Sequence, residues 1–163
     1  MTKIITLTKG QVTQVSDGWF EELNKDKWHA LYNPHTKSYY AARTTSRLLG
    51  KKKYIYMHRV VAGTPDGMKT DHRDGDTLNN QPDNLRTCTN AQNMSNQGKH
   101  SNNTSGFKGV YLNRKKWAAH IMVDGKFINL DTYKTREEAA HAYDEAAKKY
   151  HGEFAKLNFE EIP

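Results

Sequence analysis

The residues of this chain with most chemistry to offer lie in one stretch, Thr70 to Asn96: T-D-H-R-D-G-D-T-L-N-N-Q-P-D-N-L-R-T-C-T-N-A-Q-N-M-S-N. Asp71 and His72 open it, and a short helical segment carrying Asn93 closes it. A carboxylate and an amide oxygen are hard donors that suit a divalent cation in an oxygen-rich shell. An imidazole with an ordinary pKa of about 6.5 can take a proton near neutral pH. Neighbouring strand residues point to opposite faces, so Asp71 and His72 serve different roles where the strand twists or ends. Asp74-Gly75-Asp76 supplies a tight turn, with Gly75 able to take positive φ. Asn84 stands where the chain returns towards the first strand. Its amide both donates and accepts, so it can tie two loop backbones together and fix the histidine. Thr89 and Gln92 have capping-box spacing for the helix that presents Asn93 and, about one turn on, Asn96.

The ordered set D-H-x-D-G-D-x₂-N-N-x₃-N-L, followed by a capped helix bearing Asn, resembles the core of the HNH nucleases. That core is the ββα-metal finger that cuts phosphodiester bonds, here in the form common to phage and intron homing enzymes. D-H alone carries nothing, and D-G-D also occurs in calcium loops; the order of the whole set carries the resemblance. A phosphodiester is anionic with a poor alkoxide leaving group, so its hydrolysis needs an activated water, a cation and in-line geometry. The resemblance implies His72 as general base, Asp71 as first metal ligand and Asn84 as the central structural Asn. It implies Asn93, 93 − 71 = 22 positions beyond Asp71, as the helical ligand, a place held by His in many relatives. Two protein oxygens completed by water or phosphate favour one Mg²⁺ or Mn²⁺ over Zn²⁺. The implied products carry 5′-phosphate and 3′-hydroxyl ends.

Nearby basic residues have two readings each. Arg73 and Arg86 either clamp phosphate bidentately or form solvated surface, and Arg59 belongs with them as a DNA contact. His58, in M-H-R-V-V, reads as structural or phosphate-contacting ahead of a second catalytic group. Cys88 reads as a small packed hydrophobe.

The finger needs elements to position it. Residues 3–15 alternate apolar and polar around Lys9-Gly10, which predicts a β-hairpin, with Ser16 and Asp17 as caps for a short helix from Trp19 to Leu23. Strands follow at Trp28–Tyr32 and Tyr39–Arg43 across the turn N-P-H-T-K, and K-K-K-Y-I-Y-M-H-R-V-V alternates again before a helical turn. This basic, tyrosine-rich sheet is either a solvated surface or a grip on the DNA backbone. Gln97 to Ser105 contains no apolar residue and reads as a linker that orders on DNA.

From Gly106 the pattern predicts three strands, F-K-G-V-Y-L, K-W-A-A-H-I-M-V and K-F-I-N-L-D, with a hairpin turn at Asp124-Gly125. Thr135 and Glu138 form a capping box for a helix with Ala139, Tyr143, Ala146 and Tyr150 on one face and Ala140 and Ala147 beside them. Gly152 is its stop, and L-N-F at 157–159 closes the edge. The frame G-F-K-G-V-Y…K-W-A-A-H-I…E-E-A-A-x-A-Y-D-x-A-A…L-N-F resembles the Apetala-type domain of plant ethylene-response factors. That resemblance implies that the sheet enters the DNA major groove. Trp117, Ala119, Ile121, Ile128 and Leu130 are expected inward, and Ala118, His120, Met122, Phe127 and Asn129 outward. The family's arginines and tryptophans are mostly replaced: Lys108 alone is basic at a matching place, with Tyr111, Asn113, Met122, Phe127 and Asn129 at others. Arg114, Lys115 and Lys116 in the first turn can partly substitute. The fold carries over; the target sequence does not.

Composition agrees with a polyanionic partner. The net charge is +7, and nine Tyr and three Trp accompany the lysines and arginines. Residues 1–60 hold eleven Lys/Arg against four Asp/Glu, residues 61–99 four against five, and residues 106–134 six against two. Positive charge therefore flanks a mildly acidic centre, as expected where carboxylates hold a cation and neighbours hold phosphate. The single Cys88 excludes an intrachain disulfide and a multi-Cys zinc site. No apolar run approaches the ~18 residues of a membrane span, and the N-terminus lacks a signal-peptide core. The expected compartment is the cytoplasm of a bacterial or phage-infected cell.

The expected architecture is α+β: an N-terminal antiparallel β module (1–60), a central ββα-metal core (61–97), a linker (98–105) and a three-stranded antiparallel sheet packed on one helix (106–163). The expected function is metal-dependent cleavage of double-stranded DNA by a site-specific homing or nicking enzyme. One site per chain implies a monomer that nicks, with a dimer or two visits needed to break both strands. The rival is a catalytically inactive DNA-binding regulator on the same scaffolds; intact Asp71, His72, Asn84 and Asn93 favour the nuclease. An RNA-binding module is less favoured, since no aromatic stacking platform is visible.

Overall fold

A computed structural model describes residues 1–45 and 53–159. Lys51 and Lys52, which open the K-K-K-Y-I-Y alternation, lie outside the described residues. The described chain is mixed α and β, with small antiparallel sheets of two or three strands, and it divides into two compact units, Met1–Thr89 and Asn90–Pro163.

The first unit begins with the expected hairpin, β1 (Thr2–Thr6) against β2 (Val12–Ser16). Lys9 and Gly10 both take positive φ, +58° and +67°, which matches the turn to the strand twist. α1 (Asp17–Leu23) follows at once, but Ser16 makes no side-chain capping bond. Leu23 anchors this helix in the core, and its carbonyl accepts the Trp28 indole N–H at 2.8 Å. β3 (His29–Asn33), β4 (Ser38–Thr44) and β5 (Tyr54–Tyr56) form an antiparallel sheet in the order β3-β4-β5. α2 (Met57–Val61) leads to β6 (Lys69–His72), which pairs with β7 (Leu85–Cys88).

One apolar cluster holds this unit together. It joins Ile5, Leu7 and Val15 of the hairpin region to Leu23, Trp28, Ala30, Ala41, Met57, Val61 and Leu85. Each large side chain buried here contributes roughly 1.5–3 kcal/mol. The hairpin also bonds the backbone beyond β6: Gln14 N–H donates to the Leu78 carbonyl at 2.9 Å, and Asn80 N–H to the Gln14 carbonyl at 2.8 Å.

The second unit opens with α3 (Asn90–Asn96). Asn103 then folds the following stretch on itself, accepting from Gly106 N–H at 2.7 Å and donating to the Phe107 carbonyl at 2.8 Å. β8 (Val110–Asn113), β9 (Lys116–Val123) and β10 (Lys126–Tyr133) form the expected three-stranded sheet with β9 central. α4 (Arg136–His151) packs on it behind a complete Thr135/Glu138 capping box. Ala119, Ile121, Ala139, Ala140, Tyr143 and Ala147 are buried, as the alanine pattern requires for a helix lying close to a sheet. Two expectations differ. Tyr150, in the last turn of α4, is 41% exposed. Ala118 is buried despite its outward place, because its small side chain is flanked by Tyr111 on β8 and Thr132 on β10.

Gly109 shows how close the packing is. Its φ is +74°, and a Cβ there would lie 2.1 Å from the Tyr143 ring. The C-terminal segment is held by buried Asp144, which accepts from Asn158 N–H at 2.8 Å and Phe159 N–H at 3.0 Å.

Candidate functional site

β6 ends on Asp71 and His72, each 5% exposed. Strand register sets Asp71 opposite Arg86 and His72 opposite Leu85. Because the pleat sends neighbours to opposite sides, the two side chains meet different partners.

Asp71 Oδ2 accepts from Arg86 Nε at 2.7 Å, and a terminal guanidinium nitrogen of Arg86 lies 2.7 Å from the same oxygen. Both residues are buried, so this is an ion pair shielded from solvent. His72 lies among rings: edge-on to His58, with centroids 5.2 Å apart, and to Tyr40 at 6.4 Å. Its Nε2 is 3.4 Å from Asn80 Oδ1. Burial pushes the His72 pKa below its ordinary value; the Asn80 bond and the charges of Asp74, Asp71 and Asp76 oppose that without cancelling it. The neutral, proton-accepting form therefore prevails near pH 7.

His58 is held neutral more strongly. Burial, then His72 and Arg59, lower its pKa to about 3. It stacks on Tyr56 at 5.4 Å and meets Tyr40 edge-on at 5.5 Å. Its Nδ1 has no hydrogen-bond partner among the described residues.

The turn after His72 is built by carboxylate and amide side chains. Gly75 takes φ +81° and donates its N–H to the His72 carbonyl at 3.0 Å. Asp74 accepts from Asp76 N–H at 2.8 Å, from Asn84 Nδ2 at 3.0 Å and from Asn79 Nδ2 at 2.7 Å. Burial alone would raise the Asp74 pKa, but these bonds hold it below the usual carboxylate value. Asn84 also accepts from Asp74 N–H at 3.1 Å and donates to the Asn79 carbonyl at 2.9 Å. It ties the two sides of the loop together, while the contact with the imidazole comes from Asn80.

The remaining expected contact residues are dispersed. Arg59 braces the loop before β6, donating to the carbonyls of Met68 at 2.9 Å, Pro65 at 3.0 Å and Thr64 at 3.2 Å. Arg86 is on Asp71, and Arg73 is exposed beside the turn. Asn93 is half-buried on α3, in the second unit. Among the described residues no group of three or more His, Cys, Asp or Glu is placed to hold a metal ion.

On the second unit, the outer sheet face carries Tyr111, His120 and Phe127 in a row, with ring centroids 5.1 Å and 5.0 Å apart. Met122 and Asn129 are exposed on neighbouring positions. At the β8–β9 turn, Asn113, Arg114, Lys115 and Lys116 line an open hollow of about 530 Å³ with Thr132. Lys108 is placed apart from this face. Its ammonium donates to the Ser95 carbonyl at 2.5 Å and lies 5.9 Å from the Tyr143 ring centroid. Burial, then Lys156, lower its pKa to about 8.

Thr13 and Asn80 are the residues that sequence reasoning left aside; both are fully buried and bonded to each other at 2.7 Å. The signal for Thr13 was a hydroxyl on the same strand face as Val15, and for Asn80 the paired Asn of the motif itself.

A family model described as HNH endonuclease matches residues 56–95, and one described as AP2 domain matches residues 105–153. Protein 3.8 of Escherichia phage T7 is 33% identical over 109 residues, covering 65% of this chain and 89% of the phage protein. An uncharacterized HNH endonuclease of Acanthamoeba polyphaga mimivirus is 28% identical over 151 residues, covering 92% of this chain and 76% of the viral protein. The ethylene-responsive transcription factor ERN3 of Medicago truncatula is 47% identical over 73 residues, 40% of this chain and 31% of the plant protein. With β6 and β7 inside the matched core and the sheet of the second unit inside the other match, the chain belongs to the HNH endonuclease family and carries a C-terminal AP2 domain.

Proposed function

We propose that this protein is a metal-dependent DNA endonuclease of the homing or nicking type, hydrolysing phosphodiester bonds in double-stranded DNA at a site selected partly by its AP2 domain. The observation that carries this reading is the end of β6, where a buried carboxylate and a buried neutral imidazole occupy consecutive positions just before a turn that Gly75, Asp74 and Asn84 hold in shape. His72 takes the proton of the attacking water, and Asn84 fixes the loop that presents it. The donor chemistry of Asp71, with the Asn93 amide that the resemblance assigns to the same ion, fits a hard divalent cation such as Mg²⁺ or Mn²⁺. When bound, such an ion offsets charge on the phosphate and on the departing 3′ oxygen. Exposed Arg73 and the basic β8–β9 turn contact the DNA backbone, and Tyr111, His120, Met122, Phe127 and Asn129 face its bases.

Incubating supercoiled plasmid with protein and Mg²⁺ tests this. Open circles should accumulate, and a chelator should stop the reaction. Intact plasmid under all divalent ions tried would remove the nuclease reading.

One observation favours a second reading. The Asp71–Arg86 ion pair already satisfies the carboxylate electrostatically without a metal. A catalytically inactive DNA-binding regulator on the same scaffold would keep that pair, retard DNA without metal and cut nothing.

A further inference from the structure

The outer face of the second unit's sheet separates charge from apolar surface. Alternation along β8, β9 and β10 sets Tyr111, His120, Met122, Phe127 and Asn129 on the side opposite buried Val110, Ala119 and Ile121. Tyr111 and Met122 are each 41% exposed, and Phe127 is 66% exposed. Tyr111, His120 and Phe127 cross the three strands in one line, with successive rings inclined at 56° and 80°. Each ring braces the next, which fixes the row before a ligand arrives and lowers the ordering cost of binding. Rings so inclined form a ridge of edges, not the flat row on which unpaired bases stack. Burial lowers the His120 pKa, so its imidazole is neutral near pH 7 and these five side chains carry no charge. Positive charge is gathered instead at the β8–β9 turn, where Arg114, Lys115 and Lys116 line one hollow.

Base edges in the major groove discriminate between such surfaces. Guanine offers two acceptors, O6 and N7, which a guanidinium or ammonium reads, and none of the five side chains supplies one. Thymine offers a C5-methyl group that gains from apolar contact, and adenine offers a donor and an acceptor that match a side-chain amide. Met122 and Phe127 are opposite one another across β9 and β10, so they form one apolar patch. Asn129 stands two places from Phe127, and its Oδ1 accepts from the Asp131 N–H at 3.3 Å. A backbone N–H only donates, so that contact orients the amide and leaves the oxygen a second lone pair.

We propose that the AP2 sheet of this protein reads A·T pairs, with Met122 and Phe127 on thymine methyl groups and Asn129 on adenine, while the β8–β9 turn holds the DNA backbone. The proposal rests on the reading of this face as the one that meets bases, and it assigns the base pairs that the face selects.

The test uses the full-length protein in chelator, so that duplexes stay uncut. Duplexes with a randomised centre are selected by binding, and the bound fraction should be enriched in A·T pairs. The selected duplex is then remade with uracil for thymine, which removes only the C5-methyl groups, or with 7-deazaadenine for adenine, which removes N7. Each contacted methyl lost should weaken binding about fourfold, and loss of the adenine N7 about tenfold. The double variant Met122→Ala/Phe127→Ala, at two exposed positions, should bring the thymine-to-uracil affinity ratio close to one. Asn129→Ala should do the same for 7-deazaadenine. Arg114→Ala should weaken every duplex alike and keep both ratios. A selected pool rich in G·C, wild-type affinity that uracil leaves unchanged, or a uracil penalty kept in full by the double variant would overturn the proposal. A pool that never enriches would instead overturn the reading of this face as a base reader.

Discussion

Asp71 and Arg86 face one another across β6 and β7, with two guanidinium nitrogens each 2.7 Å from a single carboxylate oxygen. Removing one member of such a pair leaves a buried charge uncompensated and costs about 3–5 kcal/mol. Arg86→Met should therefore lower the thermal midpoint sharply without metal. Mg²⁺ should restore part of the loss, because a cation at Asp71 replaces the missing positive charge. Calorimetry with and without Mg²⁺ measures this; an equal metal effect in wild type and variant would separate Asp71 from the ion.

His58 should make the first unit acid-sensitive. Unfolded, it takes a proton near pH 6.5; folded, only near pH 3. Between those values the unfolded state binds more protons, so stability falls as pH drops from about 6.5 towards 3. His58→Phe, which keeps the ring packing, should flatten that part of the curve. Urea midpoints of both proteins across this range provide the comparison, and parallel curves would contradict the assignment.

Gly109 should tolerate no side chain. Gly109→Ala places a Cβ against the Tyr143 ring and imposes a positive φ on an L-residue, a cost of about 2 kcal/mol or more. Melting of the second unit followed by tyrosine fluorescence should show a lower midpoint, whereas Gly98→Ala, where a Cβ meets nothing within 4 Å, should not.

The basic turn and Lys108 should behave differently although both were legible as DNA contacts. Arg114→Ala or Lys116→Ala should weaken DNA binding across sequences and reduce the salt slope by about one. Lys108→Met should leave that slope unchanged and alter stability instead, since its ammonium is engaged by Ser95 and Tyr143. Filter binding at several salt concentrations distinguishes them.

The elements were legible where local chemistry decides them. Lys9-Gly10 and Asp124-Gly125 turn with paired positive φ, and Thr135 with Glu138 closes its capping box. The Ala139–Ala147 pattern named the helix face that packs on the sheet. What the pattern could not show is long-range partnership. Nothing local says that Leu85 shares a core with Ile5, that Thr13 bonds Asn80, or that Arg86 turns inward to Asp71. Strand period reports which side a residue faces, but the partner it meets there depends on how distant segments stack. Arg59 and Lys108 make the same point: a basic residue in a motif reads as a phosphate contact until the carbonyls around it are known.

The central claim is hydrolysis at the end of β6 with His72 as the base. It is tested most directly by single-turnover nicking of a labelled duplex in Mg²⁺, with wild type and His72→Ala compared at equal, measured DNA occupancy. The account predicts a rate about 10²-fold or more lower for His72→Ala at unchanged binding, and 5′-phosphate and 3′-hydroxyl ends from wild type. Equal rates at equal occupancy would contradict it.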